Sequence, residues 1–107
     1  MAPKDKLAPV TLTLKANVYF EGKVVSHTIH LTDGTRKTVG IIYPGSYTFD
    51  TASAETMDII AGTCRVCTAN STEWKSYAAG SSFHVGPKSV FQIAVDNGIA
   101  EYLCSYE

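Results

Sequence analysis

The sequence predicts an all-β protein of one domain, on three observations. Apolar and polar residues alternate in short runs, turn signals recur every 8–12 residues, and no segment of ten or more residues carries the 3.6-residue apolar period of a helix. The chain has 107 residues, enough for one hydrophobic core. Hydrophobic residues make up 45% and charged residues 18%, both ordinary for a globular protein.

Each element has its own reason. Residues 1–9 carry two prolines, two lysines and an aspartate, with little to bury, and read as a flexible tail ahead of a domain spanning 10–107. "VTLTL" (10–14) alternates strictly, and "KVVSHTIHL" (23–31) is rich in β-branched residues. "TDG" (32–34) then turns the chain into "KTVGII" (37–42), and "YPG" (43–45) turns it again. On the next strand, Tyr47, Phe49 and Thr51 share one face. "MDIIAG" (57–62) and "TCRVCT" (63–68) follow, then the turn "GPK" (86–88), the strand "SVFQIAV" (89–95), the turn "DNG" (96–98) and the strand "IAEYLCSY" (99–106). Short strands at regular spacing with Gly/Pro turns make a sandwich or a barrel.

The bulk properties exclude some functions. A net charge of −1 lacks the dense basic patch of a nucleic-acid-binding protein, although one or two arginines suffice for a small anion. No apolar run approaches the ~20 residues of a membrane span, and the start has no signal-peptide core, so the expected location is cytoplasmic. Three cysteines, an odd and modest number, agree with a reducing compartment.

Most candidate chemistry reduces to structure. Cys64 and Cys67 form a C-x-x-C, but within a strand-like run, where residues three apart point to opposite faces. His27 and His30 diverge for the same reason, and His84 stands alone near a turn. No G-x-S-x-G elbow and no phosphate-cradling glycine loop occurs, so an anion site must be built from side chains. Arg36 and Thr38 share a strand face with Gly40, which offers a guanidinium fork, a hydroxyl and open space for a phosphate; the competing reading is a solvated charge at a hairpin end. The stripes Tyr47/Phe49/Thr51, Phe91/Ile93/Val95 and Tyr102/Cys104/Tyr106 read either as core or as the wall of a slot for a planar ligand.

Two stretches resemble the paired motifs of the cupin superfamily. Glu55, then six residues and Gly62, fit the second half of G-x5-H-x-H-x3,4-E-x6-G. Its histidine slots fall on Thr48 and Asp50, or on Phe49 and Thr51. In the second motif, starting at Gly80, the histidine slot falls on Phe91 and the asparagine slot on Val95. Every imidazole is absent, and a lone carboxylate among hydroxyls and a phenyl ring will not hold a transition metal tightly. The resemblance narrows further. "NVYFEGKVVSHTI", "RKTVGIIYPGSYTFDTASAETMDIIAG", "EWKSYAAGSSFHVGPKSVFQIAV" and "YLCSYE" resemble, in order, the blocks of the pyrimidine/purine nucleoside phosphorylase family. The match covers about residues 17–106; Cys64, Cys67 and the shifted proline in "VGPKS" depart from the family pattern.

The resemblance implies a cupin-type jelly-roll β-barrel and a glycosyltransferase reaction: purine or pyrimidine nucleoside plus phosphate gives free base plus α-D-ribose 1-phosphate. It implies no cofactor beyond phosphate as co-substrate, and a homodimer in which "VTLTL" covers a neighbour's sheet edge. On this reading Arg36 and Thr38 hold phosphate, Glu55 grips the ribose, and Tyr47, Phe49, Thr51, Phe91 and Tyr102 line the substrate slot. Two alternatives remain open: a non-catalytic cupin binding a nucleoside or sugar, and a metal-dependent cupin enzyme, which the empty histidine slots disfavour.

Overall fold

The computed structural model describes residues 6–107, so residues 1–5 of the expected tail lie outside it. The described residues form eleven strands in two sheets. They are β1 (Val10–Leu12), β2 (Asn17–Tyr19), β3 (Val24–Leu31), β4 (Arg36–Ile42), β5 (Gly45–Asp50), β6 (Glu55–Ala61), β7 (Thr63–Thr68), β8 (Lys75–Ala78), β9 (Ser82–Val85), β10 (Val90–Val95) and β11 (Ala100–Tyr106). The seven-stranded sheet runs β1-β3-β4-β11-β6-β9, with β2 also paired to β3; the four-stranded sheet runs β5-β10-β7-β8.

All pairs are antiparallel, and from β4 onward they are nested. β4 pairs with β11, β5 with β10, β6 with β9 and β7 with β8. The chain is therefore one long hairpin whose successive rungs are dealt alternately to the two sheets. Among the described residues no hydrogen-bonded ladder joins the sheets into a closed cylinder. The expected all-β single domain is present; the observed form is two sheets face to face.

Alternation explains the core. Val24, Ile42, Met57, Ile59, Phe83, Val85, Ala100, Tyr102 and Cys104 point inward from the larger sheet, and meet Tyr47, Cys64, Val66, Phe91, Ile93 and Val95 from the smaller one. Gly40 is needed on β4 because a Cβ there would stand 2.8 Å from the Tyr102 hydroxyl and 2.6 Å from the Val25 carbonyl oxygen. The space expected beside Gly40 is thus filled by Tyr102 rather than open to a ligand.

β1 departs from its expected bounds and partner. β1 stops at Leu12, and it pairs with β3 of its own chain, Val10 opposite Leu31. The outer face of the larger sheet carries an apolar patch. Val39 and Ile60 are 41% and 36% exposed on the outer face of the larger sheet, where Lys6, Leu7, Val10, Ile29 and Leu103 complete a shallow groove.

Candidate functional site

A cavity of about 160 Å3 lies between the sheets. Its walls divide by chemistry. Ile42, Phe49, Met57, Phe91 and Ile93 form an apolar side; Ser26, Thr38, Glu55, Tyr102, Cys104 and Tyr106 form a polar one, with Tyr19 and Asp50 also in the lining. The polar side is built by register. On β11, Tyr106 stands opposite Glu55 of β6, while Cys104 stands opposite Thr38 of β4 and Met57 of β6. Arg36 is two residues before Thr38 on β4 and therefore points the same way. Arg36 and Glu55 are carried on the two strands flanking β11, so their backbones are about 9–10 Å apart, twice the interstrand spacing. That gap is filled by Tyr106, Thr38 and Cys104.

These groups form a connected set. The Arg36 guanidinium lies over the Tyr106 ring, 4.1 Å from its centroid, within the range of a cation–π contact. The Tyr106 hydroxyl shares a 3.0 Å hydrogen bond with Thr38 Oγ1. The Cys104 thiol donates to Glu55 Oε1 at 3.6 Å. Arg36 makes no salt bridge with a described residue.

Burial sets the protonation states. It raises the Glu55 carboxyl above its ordinary value; the hydrogen bond from Cys104 and the charge of Arg36 oppose that rise. The Cys104 thiol is pushed up to about 12, first by burial and then by the neighbouring Glu55 charge. Burial likewise pushes Tyr102 up to about 12 and raises Tyr106 further. At neutral pH the thiol and both phenols are therefore neutral hydrogen-bond donors, set between the Arg36 guanidinium and the Glu55 carboxyl. Donors beside a guanidinium suit an oxyanion; a carboxylate nearby suits hydroxyl groups or developing positive charge.

The expected site residues divide into two groups. Thr38, Phe49, Glu55, Phe91 and Tyr102 line the cavity, and Arg36 reaches its edge through Tyr106. Phe49 and Phe91 stack with centroids 5.6 Å apart. Tyr47 and Thr51 are not in the lining. The Tyr47 hydroxyl donates to the carbonyls of Tyr43 (2.7 Å) and Pro44 (3.0 Å). Thr51 Oγ1 donates to the Gly86 carbonyl (2.7 Å) and accepts from the Ser89 N–H (2.9 Å), which ties the end of β5 to the turn before β10. Both are buried and hold the site's frame rather than face its interior.

The remaining polar candidates have other occupations. Cys64 is buried, while Cys67 is partly exposed with its thiol directed to the Ser71 carbonyl, so the two sulfurs do diverge. His84 lies near Glu107 and Thr56 on the surface. Among the described residues no group of three or more His, Cys, Asp or Glu is placed to hold a metal ion. Sequence reasoning singled out neither Ser26, Asp50 nor Tyr19 as site residues. It placed Tyr106 and Cys104 in a stripe without assigning them a role, and the period-two stripe was the signal for both.

Fold and site together define a class: a small all-β domain with a carboxylate- and hydroxyl-bearing cavity between two sheets and a guanidinium at its edge. Comparison with known proteins gives the family. The family model described as pyrimidine/purine nucleoside phosphorylase matches residues 14–106, and the chain belongs to that family. A protein of that name from Thiobacillus denitrificans is 50% identical over 97 residues, 91% of this chain and 93% of the relative. Another, from Cupriavidus taiwanensis, is 51% identical over 98 residues, 92% of each. Among solved structures, a protein of unknown function from Acinetobacter superposes with a TM-score of 0.92 at 44% identity, covering 95% of this chain and 98% of that one.

Proposed function

We propose that the inter-sheet cavity catalyses phosphorolysis of nucleosides, converting a purine or pyrimidine nucleoside and phosphate to free base and α-D-ribose 1-phosphate. The observation that carries this reading is the convergence of the Thr38–Tyr106 hydroxyl pair and Glu55 on one side of a cavity whose opposite side is Phe49 and Phe91, with the Arg36 guanidinium at the edge over the Tyr106 ring. Family membership supports it, and so do relatives that bear the activity in their name. The nested strand pairing supports reading the domain as a cupin-type jelly roll.

The chemistry fits the groups present. A phosphate oxygen attacks the anomeric carbon as the C–N bond breaks, and the bonding pair leaves with the base, which then takes a proton. The transition state has oxocarbenium character, as in glycoside hydrolysis. Phosphate is the nucleophile, so no covalent enzyme intermediate is required. Arg36, with the hydroxyls beside it, fixes phosphate against the sugar; such orientation contributes up to ~7–11 kcal/mol in favourable cases. Ionised Glu55 accepts from ribose hydroxyls and offsets the developing positive charge. Phe49 and Phe91 supply the apolar side, which discriminates weakly among bases because each has a π-face.

The outer apolar face around Val39, Ile60 and Leu103 is, on this reading, covered by a second copy of the chain, giving a homodimer. Light scattering on the purified protein reads that directly. No helix among the described residues is long and apolar enough to cross a membrane, in keeping with the cytoplasmic location proposed for a nucleoside-handling enzyme.

Inosine, guanosine, uridine and cytidine incubated with and without phosphate test the reaction. Base release that requires phosphate supports phosphorolysis. Tight nucleoside binding without base release would instead make the domain a binding module, and release that ignores phosphate would make it a hydrolase.

A further inference from the structure

Between β2 and β3 the chain makes a tight turn, Phe20–Gly22, that no assigned role uses. Phe20 (φ 51°) and Glu21 (φ 57°) are consecutive non-glycine residues in the left-handed region, a conformation that L side chains adopt at a steric cost. Something must hold them there. Phe20 is the anchor: its ring lies 5.0 Å from Tyr47 and 5.3 Å from Phe49, both on β5. β2 belongs to the edge of the larger sheet, whereas β5 is the edge of the smaller one. The turn is thus a strap across the open side of the sandwich, fastened by aromatic contacts.

The strap places Tyr19 on the cavity wall. Tyr19 meets Phe49 edge to face, with centroids 6.2 Å apart at 76°, yet remains 46% exposed. Its hydroxyl makes no hydrogen bond to a described residue, although most of the cavity's other hydroxyls are engaged. A cavity of about 160 Å3 is also smaller than the ~300–1,000 Å3 usual for small-molecule sites, so a ligand with two ring systems has one of them at the rim. The polar side already accounts for phosphate and ribose. Tyr19 pairs through Val24 with Ile42, toward the opposite end of β4 from Arg36. The ring left at the rim is therefore the one farthest from phosphate.

We infer that Tyr19 is the outer wall of the nucleobase subsite, and that Phe20 is a positioning residue that holds the strained strap against β5. This rests on the phosphorolysis reading and adds the direction in which the substrate lies: phosphate toward Arg36, base toward Tyr19. A freely rotating hydroxyl on a flat ring meets donors and acceptors alike, so it accepts purines and pyrimidines without selecting between them.

The synthetic direction separates the two ends of the substrate, because free base and ribose 1-phosphate are varied independently. Tyr19→Leu keeps apolar bulk and removes the flat ring; its KM for hypoxanthine and uracil rises about 5- to 100-fold, the loss expected of one stacking ring, while the KM for ribose 1-phosphate stays within about twofold. Tyr19→Phe recovers most of the affinity. Phe20→Ala, checked by circular dichroism to be folded, shows the same split as Tyr19→Leu. An unchanged base KM in Tyr19→Leu overturns the inference, and so does a parallel rise in both constants. If the wild-type chain shows no turnover in either direction, the phosphorolysis reading fails on its own; calorimetric titration of inosine into wild type and Tyr19→Leu then decides Tyr19, with equal affinities counting against it.

Discussion

The two halves of the space between the sheets are built on opposite principles. One half is filled with hydrocarbon: Ile59, Cys64, Val66, Val95 and Ala100 are each at most 3% exposed, and none lines the cavity. The other half, formed by the opposite ends of β4, β6 and β11, places Glu55, Thr38, Cys104 and Tyr106 where apolar residues would give a tighter core, with Arg36 at its edge. The same strands serve both halves. Along β11 the inward positions run Ala100, Tyr102, Cys104, Tyr106, from closed to open. The filled half carries stability; on the proposed reading the hollow half gives up stability for chemistry.

Substitutions at the two ends should therefore fail in different ways. The largest effect belongs to the filled half. Ile59→Ala leaves a cavity in a fully buried site and should cost about 2–5 kcal/mol in chemical denaturation, with unchanged kcat in the fraction that remains folded. A change in kcat larger than the loss of folded protein would erase the distinction between the halves. In the hollow half, Arg36→Ala should lower kcat/KM for phosphate by about 10²–10³ and leave the thermal midpoint nearly unmoved. Unchanged phosphate dependence removes Arg36 from the site.

Glu55 sharpens the comparison through pH. Its carboxyl titrates above the ordinary value because burial disfavours the charge. The folded state thus binds this proton more tightly than the unfolded chain does. The resulting stabilisation is full below the unfolded value and is lost as pH rises through the folded one. At pH 7 the ionised Glu55 is a liability to the fold, so Glu55→Gln should match or exceed the wild-type thermal midpoint there and lose that advantage near pH 4. Its kcat should fall about 10- to 100-fold, and the acid limb of the rate profile, which in wild type lies above 4.5, should vanish. A midpoint well below wild type at pH 7 would place Glu55 among the stabilising residues instead.

The smallest effect should come from Tyr106→Phe. The ring under Arg36 remains, and only the hydroxyl shared with Thr38 is lost. A 2- to 10-fold reduction in kcat/KM is expected, against a much larger one for Tyr106→Leu, which removes the platform as well. Equal losses in the two variants would mean that the ring does not position Arg36.

The sequence made the filled half legible and the hollow half only partly so. β3, β4, β10 and β11 are alternating, β-branched runs whose bounds come within a residue or two of expectation, because burial of one face dictates the pattern. β2, β8 and β9 are three or four residues long, and β8 reads "KSYA"; such strands form because a neighbouring edge is available, which local pattern does not encode. In the site, alternation placed Arg36 with Thr38 and Tyr47 with Phe49 and Thr51. It could not show that the Tyr47 and Thr51 hydroxyls are used by nearby carbonyls, or that Tyr102 fills the space beside Gly40. Tyr19 arrives from a separate strand through an unusual turn, and spacing carries no information about that.

A crystal structure of the protein soaked with ribose 1-phosphate tests the central claim most directly. The account predicts phosphate oxygens within hydrogen-bond reach of the Arg36 guanidinium, ribose hydroxyls on Glu55, and the anomeric carbon directed toward Phe49 and Tyr19. Sugar phosphate bound outside this cavity, or bound within it with Arg36 turned away, would contradict it.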